Sequence, residues 1–118
     1  MTWIVKHYVA ADGVAPTRQW INSLSDRALQ MSLRSKIEML SKHGLLLLQT
    51  KSMERIGGDD ADLYELKAGS GRITLYFDRR RNMFILLNGF LKKKMKQKDK
   101  IEEARRFLHD FHERGEVD

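Results

Sequence analysis

The chain has no cysteine. A disulfide framework, a thiol nucleophile and a thiolate metal site are thereby excluded, and stability must come from packing. A reducing compartment suits such a sequence, so a cytoplasmic location is expected. One proline and eight glycines in 118 residues exclude a linker-rich or low-complexity chain. No stretch approaches the roughly 18 apolar residues of a membrane span. The N-terminal MTWIVKHYVA also lacks the charged start and long apolar core of a secretory signal. P-loop, GxGxxG, GxSxG and HExxH patterns are all missing. His109 and His112 share a helical face, but no carboxylate and histidine pair elsewhere completes a metal site, so neither metal nor cofactor is expected.

Hydrophobic residues make up 42% of the chain and charged residues 32%, a globular balance. The length allows one domain, spanning 1–118, and no second independent core. Charge is unevenly spread. Residues 1–66 hold eight basic and eight acidic side chains, residues 67–100 hold eleven and two, and residues 101–118 hold three and six. Of the net +6, the excess therefore sits in one third of the chain. A field concentrated in that way draws a polyanion, which points to nucleic acid or an acidic protein as partner.

Trp3 to Val9 alternates with a period of two and predicts a strand. Pro16 opens a short helix carrying Trp20, Ile21 and Leu24 on one side. Ser25 and Asp26 can cap a second helix, with Leu29, Leu33, Ile37 and Leu40 on its apolar stripe and Gly44 as its stop. The run Leu45 to Leu48 is expected to tuck back against the core. Gly57, Gly58, Asp59 and Asp60 read as a turn. Three strands follow, Leu63 to Ala68, Arg72 to Asp78 and Met83 to Leu91, joined by Gly69-Ser70-Gly71 and Arg79-Arg80-Arg81-Asn82 as hairpin turns. The nearly continuous apolar run of the last strand predicts a central place in the sheet. Asp99 as N-cap with Glu102 three residues on predicts a final helix, carrying Ile101, Ala104, Leu108 and Phe111. The expected fold is α+β, in the order β-α-α-β-β-β-α, with an antiparallel-rich sheet.

The candidate chemistry is cationic. Arg72, Thr74, Tyr76 and Asp78 share one face of their strand. Lys67 closes the preceding strand across a short hairpin, and Lys92, Lys93 and Lys94 leave the last strand together. These cations can converge on a phosphate, where arginine offers a planar fork and lysine a compact charge. Lys96 extends the run towards the final helix. Arg79, Arg80 and Arg81 form a hairpin tip able to touch phosphates but not to catalyse. Phe90 suits either base stacking or burial beneath the last helix.

The segments LYELK (63–67), GRITLYF (71–77), ILLNGFLKK (85–93) and IEEARRFL (101–108) together resemble the phage-derived branch of HigB-like toxins in the RelE/ParE superfamily. The resemblance implies a RelE-like fold and a type II toxin that cuts mRNA on the translating ribosome, without a metal. It implies a small HigA-like helix-turn-helix antitoxin as partner, with operator DNA reached only through that complex. Carried over by position, Lys67, Arg72, Lys92 and Lys93 are the catalytic set. Lys67 is the candidate proton acceptor if neighbouring cations such as Arg72 favour its neutral form, and otherwise a phosphate clamp. Phe90, Lys94, Lys96 and Arg79 to Arg81 are RNA contacts. Asn88 stands where the family usually has histidine, so an imidazole acid or base is missing there. The same fold in ParE-like members poisons gyrase, and a basic module that only docks on RNA or protein is the rival from another class.

Overall fold

The computed structural model describes residues 2–56, 62–92 and 97–118. The chain runs through β1 (Ile4–His7), α1 (Pro16–Ser23), α2 (Arg27–His43), a 3-10 turn (Gly44–Gln49), β2 (Met53–Arg55), β3 (Leu63–Ala68), β4 (Gly71–Asp78), β5 (Met83–Leu91) and α3 (Gln97–Arg114). The sheet order is β1-β5-β4-β3-β2. β1 lies parallel to β5, and every other pair is antiparallel.

The helices begin and end for local reasons. Pro16 occupies the first turn of α1, where a missing N–H costs nothing. The Asp26 side chain accepts the Leu29 N–H at 3.0 Å and caps α2. Gly44 ends α2 at φ +54°, and its bare Cα also admits the Trp3 indole: a Cβ there would lie 2.0 Å from the ring.

Strand alternation builds a core on each face of the sheet. Leu66, Ile73, Leu75, Phe77, Phe84 and Leu86 pack beneath Leu33 and Leu40 of α2. Leu63, Ile85 and Leu87 face the other way, against Ala104, Leu108 and Phe111 of α3. Between Thr74 and Leu75 the register slips, so Leu75 opposes Leu86 whereas Thr74 opposes Asn88. This bulge leaves Leu87 without a partner and sets Phe90 opposite Arg72.

Two expectations change, while β5 takes its expected interior place: it lies between β1 and β4 with both faces covered, β4 being the middle strand of the five. A fifth strand, β2, lies at the sheet edge; its three residues are too few to show a period. Finally, α3 starts at Gln97, which puts Asp99 in the first turn rather than at the N-cap. The predicted turn residues Gly57 to Asp60 lie outside the described residues. No helix among the described residues is long and apolar enough to cross a membrane.

Candidate active site and nucleic-acid interface

The β3–β4 hairpin brings the first cations together. Gly69 adopts φ +54° in its turn, which sets Ala68 opposite Gly71 and Lys67 opposite Arg72. The Lys92 N–H donates to the Ser70 carbonyl at 2.9 Å, so the end of β5 is tied to the same turn. Lys67, Arg72 and Lys92 therefore meet at one end of the sheet, within two strand spacings of about 5 Å each.

Their environments differ. Arg72 is only 8% exposed. Its Nη1 donates to the carbonyls of Gly69 and Gly71 at 2.7 and 2.8 Å, and its Nε stands 3.5 Å from Glu65 Oε1. The guanidinium thus braces the hairpin as well as charging the site. Lys67 is more open, and its Nζ lies 2.9 Å from Glu54 Oε2. That pairing with a carboxylate suits the phosphate-clamp alternative for Lys67. Lys92 is exposed.

Two carboxylates that sequence reasoning missed complete the cluster. Glu54 and Glu65 are direct cross-strand partners. Glu65 is 2% exposed and accepts a hydrogen bond from Gln97 Nε2 at 2.8 Å, which joins the site to the first turn of α3. Burial pushes its carboxyl above the ordinary value, while the Gln97 hydrogen bond and the Arg72 charge oppose that shift. The sequence signal for Glu65 was present in LYELK, but its link to Gln97 spans 32 residues. No local pattern reveals such a contact.

The remaining candidates separate. Phe90 is 1% exposed, opposite Arg72, and serves packing rather than an open stacking surface. Arg79, Arg80 and Arg81 follow the far end of β4, six residues beyond Arg72, or about 20 Å along the strand. There Arg79 pairs with Asp62 at 2.8 Å and lies over the Phe77 ring, and Arg81 pairs with Asp78 at 3.6 Å. They do not join the cluster. Lys93, Lys94 and Lys96 lie outside the described residues.

Asn88 acts as a fastener: its Nδ2 donates to the Lys100 carbonyl at 2.9 Å and to Glu103 at 2.8 Å, tying β5 to α3. Among the described residues no group of three or more His, Cys, Asp or Glu side chains could hold a metal. His109 pairs with Glu113, and His112 packs edge-on against Tyr76.

The model of the family described as "Phage derived protein Gp49-like (DUF891)" matches residues 19–109. The chain belongs to this Gp49-like family. Solved structures show the RelE fold. A chain from the RelBE2 toxin–antitoxin complex of Mycobacterium tuberculosis is 14% identical with a TM-score of 0.56, covering 77% of this chain and 99% of that one. A chain of the archaeal RelE–RelB complex from Pyrococcus horikoshii is 16% identical at TM-score 0.58, covering 80% and 100%. A double arginine-to-alanine variant of E. coli RelE in the free state is 12% identical at TM-score 0.61, covering 90% and 97%. No curated protein sequence matches the chain significantly.

Proposed function

We propose that this Gp49-like protein is the toxin of a type II toxin–antitoxin pair, a HigB-like endoribonuclease that cuts mRNA on the ribosome in the cytoplasm without a metal. The observation that carries the reading is the convergence of Lys67, Arg72 and Lys92 on one hairpin turn, beside an exposed carboxylate. A RelE fold found elsewhere in toxin–antitoxin complexes supports the toxin role and an antitoxin partner; its HigA-like type is proposed from the family pattern.

In the proposed reaction the ribose 2′-oxygen attacks the adjacent phosphorus, and its proton passes to Glu54, the exposed carboxylate of the described cluster. The bond from phosphorus to the 5′-oxygen breaks, its electron pair stays on that oxygen, and a proton from solvent gives the 5′-hydroxyl. The other product is a 2′,3′-cyclic phosphate. Negative charge grows on the non-bridging oxygens, and Lys67, Lys92 and Arg72 supply preoriented positive charge against it. Lys93 is proposed to add to this set from the family pattern.

Induction of the gene in a bacterial host, with pulse-labelled protein synthesis and plasmid supercoiling followed together, tests the reading. Translation should stop within minutes while supercoiling stays normal. Loss of supercoiling with continuing translation would instead place the protein among gyrase poisons.

A further inference from the structure

Beyond Lys67 the sheet ends in β2, and the edge carries a cavity of about 550 Å³. Lys51, Glu54, Arg55 and Lys67 line it, together with the apolar Leu48 and Met53. Glu54 is matched by Lys67. Lys51 and Arg55 are exposed, and neither has an acidic partner among the described residues. Among the described residues, the cavity therefore keeps two uncompensated cations next to the proposed cleavage site.

Its walls are held in place. Thr50 Oγ1 accepts the Ser52 N–H at 3.0 Å and donates to the Leu47 carbonyl at 2.7 Å. The Lys67 N–H donates to the Ser52 carbonyl at 2.8 Å, and Lys36 Nζ donates to Ser52 Oγ at 2.7 Å. Lys51 thus projects from a pinned turn, and Arg55 from a paired strand opposite Tyr64. Basic residues along a sheet edge also blunt edge-to-edge pairing, but that role requires no cavity and no continuity with a second cationic cluster.

We propose that this cavity is a subsite for a backbone phosphate flanking the scissile one in single-stranded RNA, with Lys51 and Arg55 as its ligands and Lys67 bridging the two positions. The inference rests on the ribonuclease reading and sets the path of its substrate across β3 and over the β2 edge, one strand spacing of about 5 Å away.

The test is fluorescence anisotropy with a short labelled 2′-O-methyl RNA, which binds but cannot be cut. Parent, the Lys51→Ala/Arg55→Ala double variant and an Arg34→Ala/Lys42→Ala control of equal charge loss on exposed positions of α2 are titrated at several salt concentrations. The β2-edge variant should bind about tenfold more weakly and lose about 1.4 from the log–log salt slope, as two single-strand phosphate contacts require. The control should change far less. In ribosome-dependent cleavage the β2-edge variant should raise KM and leave kcat unchanged. Equal losses in both variants, unchanged binding in the β2-edge variant, or no RNA binding by the parent would each overturn the subsite. A parent that binds with the expected variant pattern but never cuts would contradict the ribonuclease reading and leave the subsite standing.

Discussion

At the scale of single residues, Lys67 and Arg72 answer differently to substitution because they are buried to different extents. Lys67→Ala removes a half-open ammonium whose loss leaves only the exposed Glu54 unpaired. Cleavage should fall by about 10²–10³-fold, as for loss of one transition-state donor, with the melting temperature essentially unchanged. Arg72→Ala removes two hydrogen bonds to the hairpin and leaves buried Glu65 without its cation. It should cost about 2–3 kcal/mol in denaturant unfolding, so any loss of activity there mixes folding with chemistry.

Glu65 supplies a pH test. Its folded-state carboxyl is raised, so the folded protein favours the protonated form. Stability from this group is therefore fully present below the ordinary glutamate value and is lost as pH rises through the raised value. Glu65→Gln stays neutral and keeps a hydrogen-bonding group for Gln97. The melting temperature of the variant, relative to parent, should climb with pH across that window, and a flat difference would refute the assigned environment. The cationic residues of this site were legible in the sequence because a short glycine-rich turn brings Lys67 near Arg72; their exact register was not, since β4 begins at Gly71 and the turn is only Gly69-Ser70. The carboxylates were not, since their roles depend on β2 and α3, both remote in sequence.

At the scale of elements, β5 is locked from both sides. Gly89 lies under Trp20 of α1, where an added Cβ would stand 2.1 Å from the indole. Gly89→Ala should therefore destabilise by about 2 kcal/mol or more through overpacking, measurable by urea denaturation. On the opposite face, Asn88→Ala removes both hydrogen bonds to α3. It should cost about 1–2 kcal/mol, and faster amide exchange should appear first in the N-terminal half of α3. Protection equal to parent there would mean that Asn88 does not anchor the helix. Further along, Tyr8 donates to Asp110 at 2.6 Å while Arg114 reaches the Val9 carbonyl at 2.7 Å, which holds the C-terminal half independently.

The helices and the β3–β5 meander were legible because caps, turns and periodicity are local signals. The parallel pairing of β1 with β5 was not, because it joins Ile4 to Met83 and leaves no mark in either segment alone. Asn88 was legible only as a departure from histidine. Its fastening role depends on a bulge that no side-chain pattern announces.

At the scale of the whole molecule, six of the eleven basic residues of 67–100 divide between the two ends of the sheet. Lys67, Arg72 and Lys92 occupy one end, while Arg79 to Arg81 lie at the other and are partly matched by Asp62 and Asp78. Counting charge along the chain located the basic third but could not distinguish these ends, which lie at opposite termini of β4. The first end also gains Lys51 and Arg55 from a segment whose charges balance in sequence. Proximity in the fold, rather than net charge, is what marks this surface as the proposed site.

The most direct measurement is primer extension on a defined mRNA after mixing purified protein with programmed ribosomes, beside ribosome-free RNA and the Lys67→Ala variant. The account predicts ribosome-dependent cuts by the parent, 2′,3′-cyclic phosphate ends, and at least about 10²-fold slower cutting by the variant. No cuts by folded parent protein, or equal cutting by folded Lys67→Ala, would contradict it.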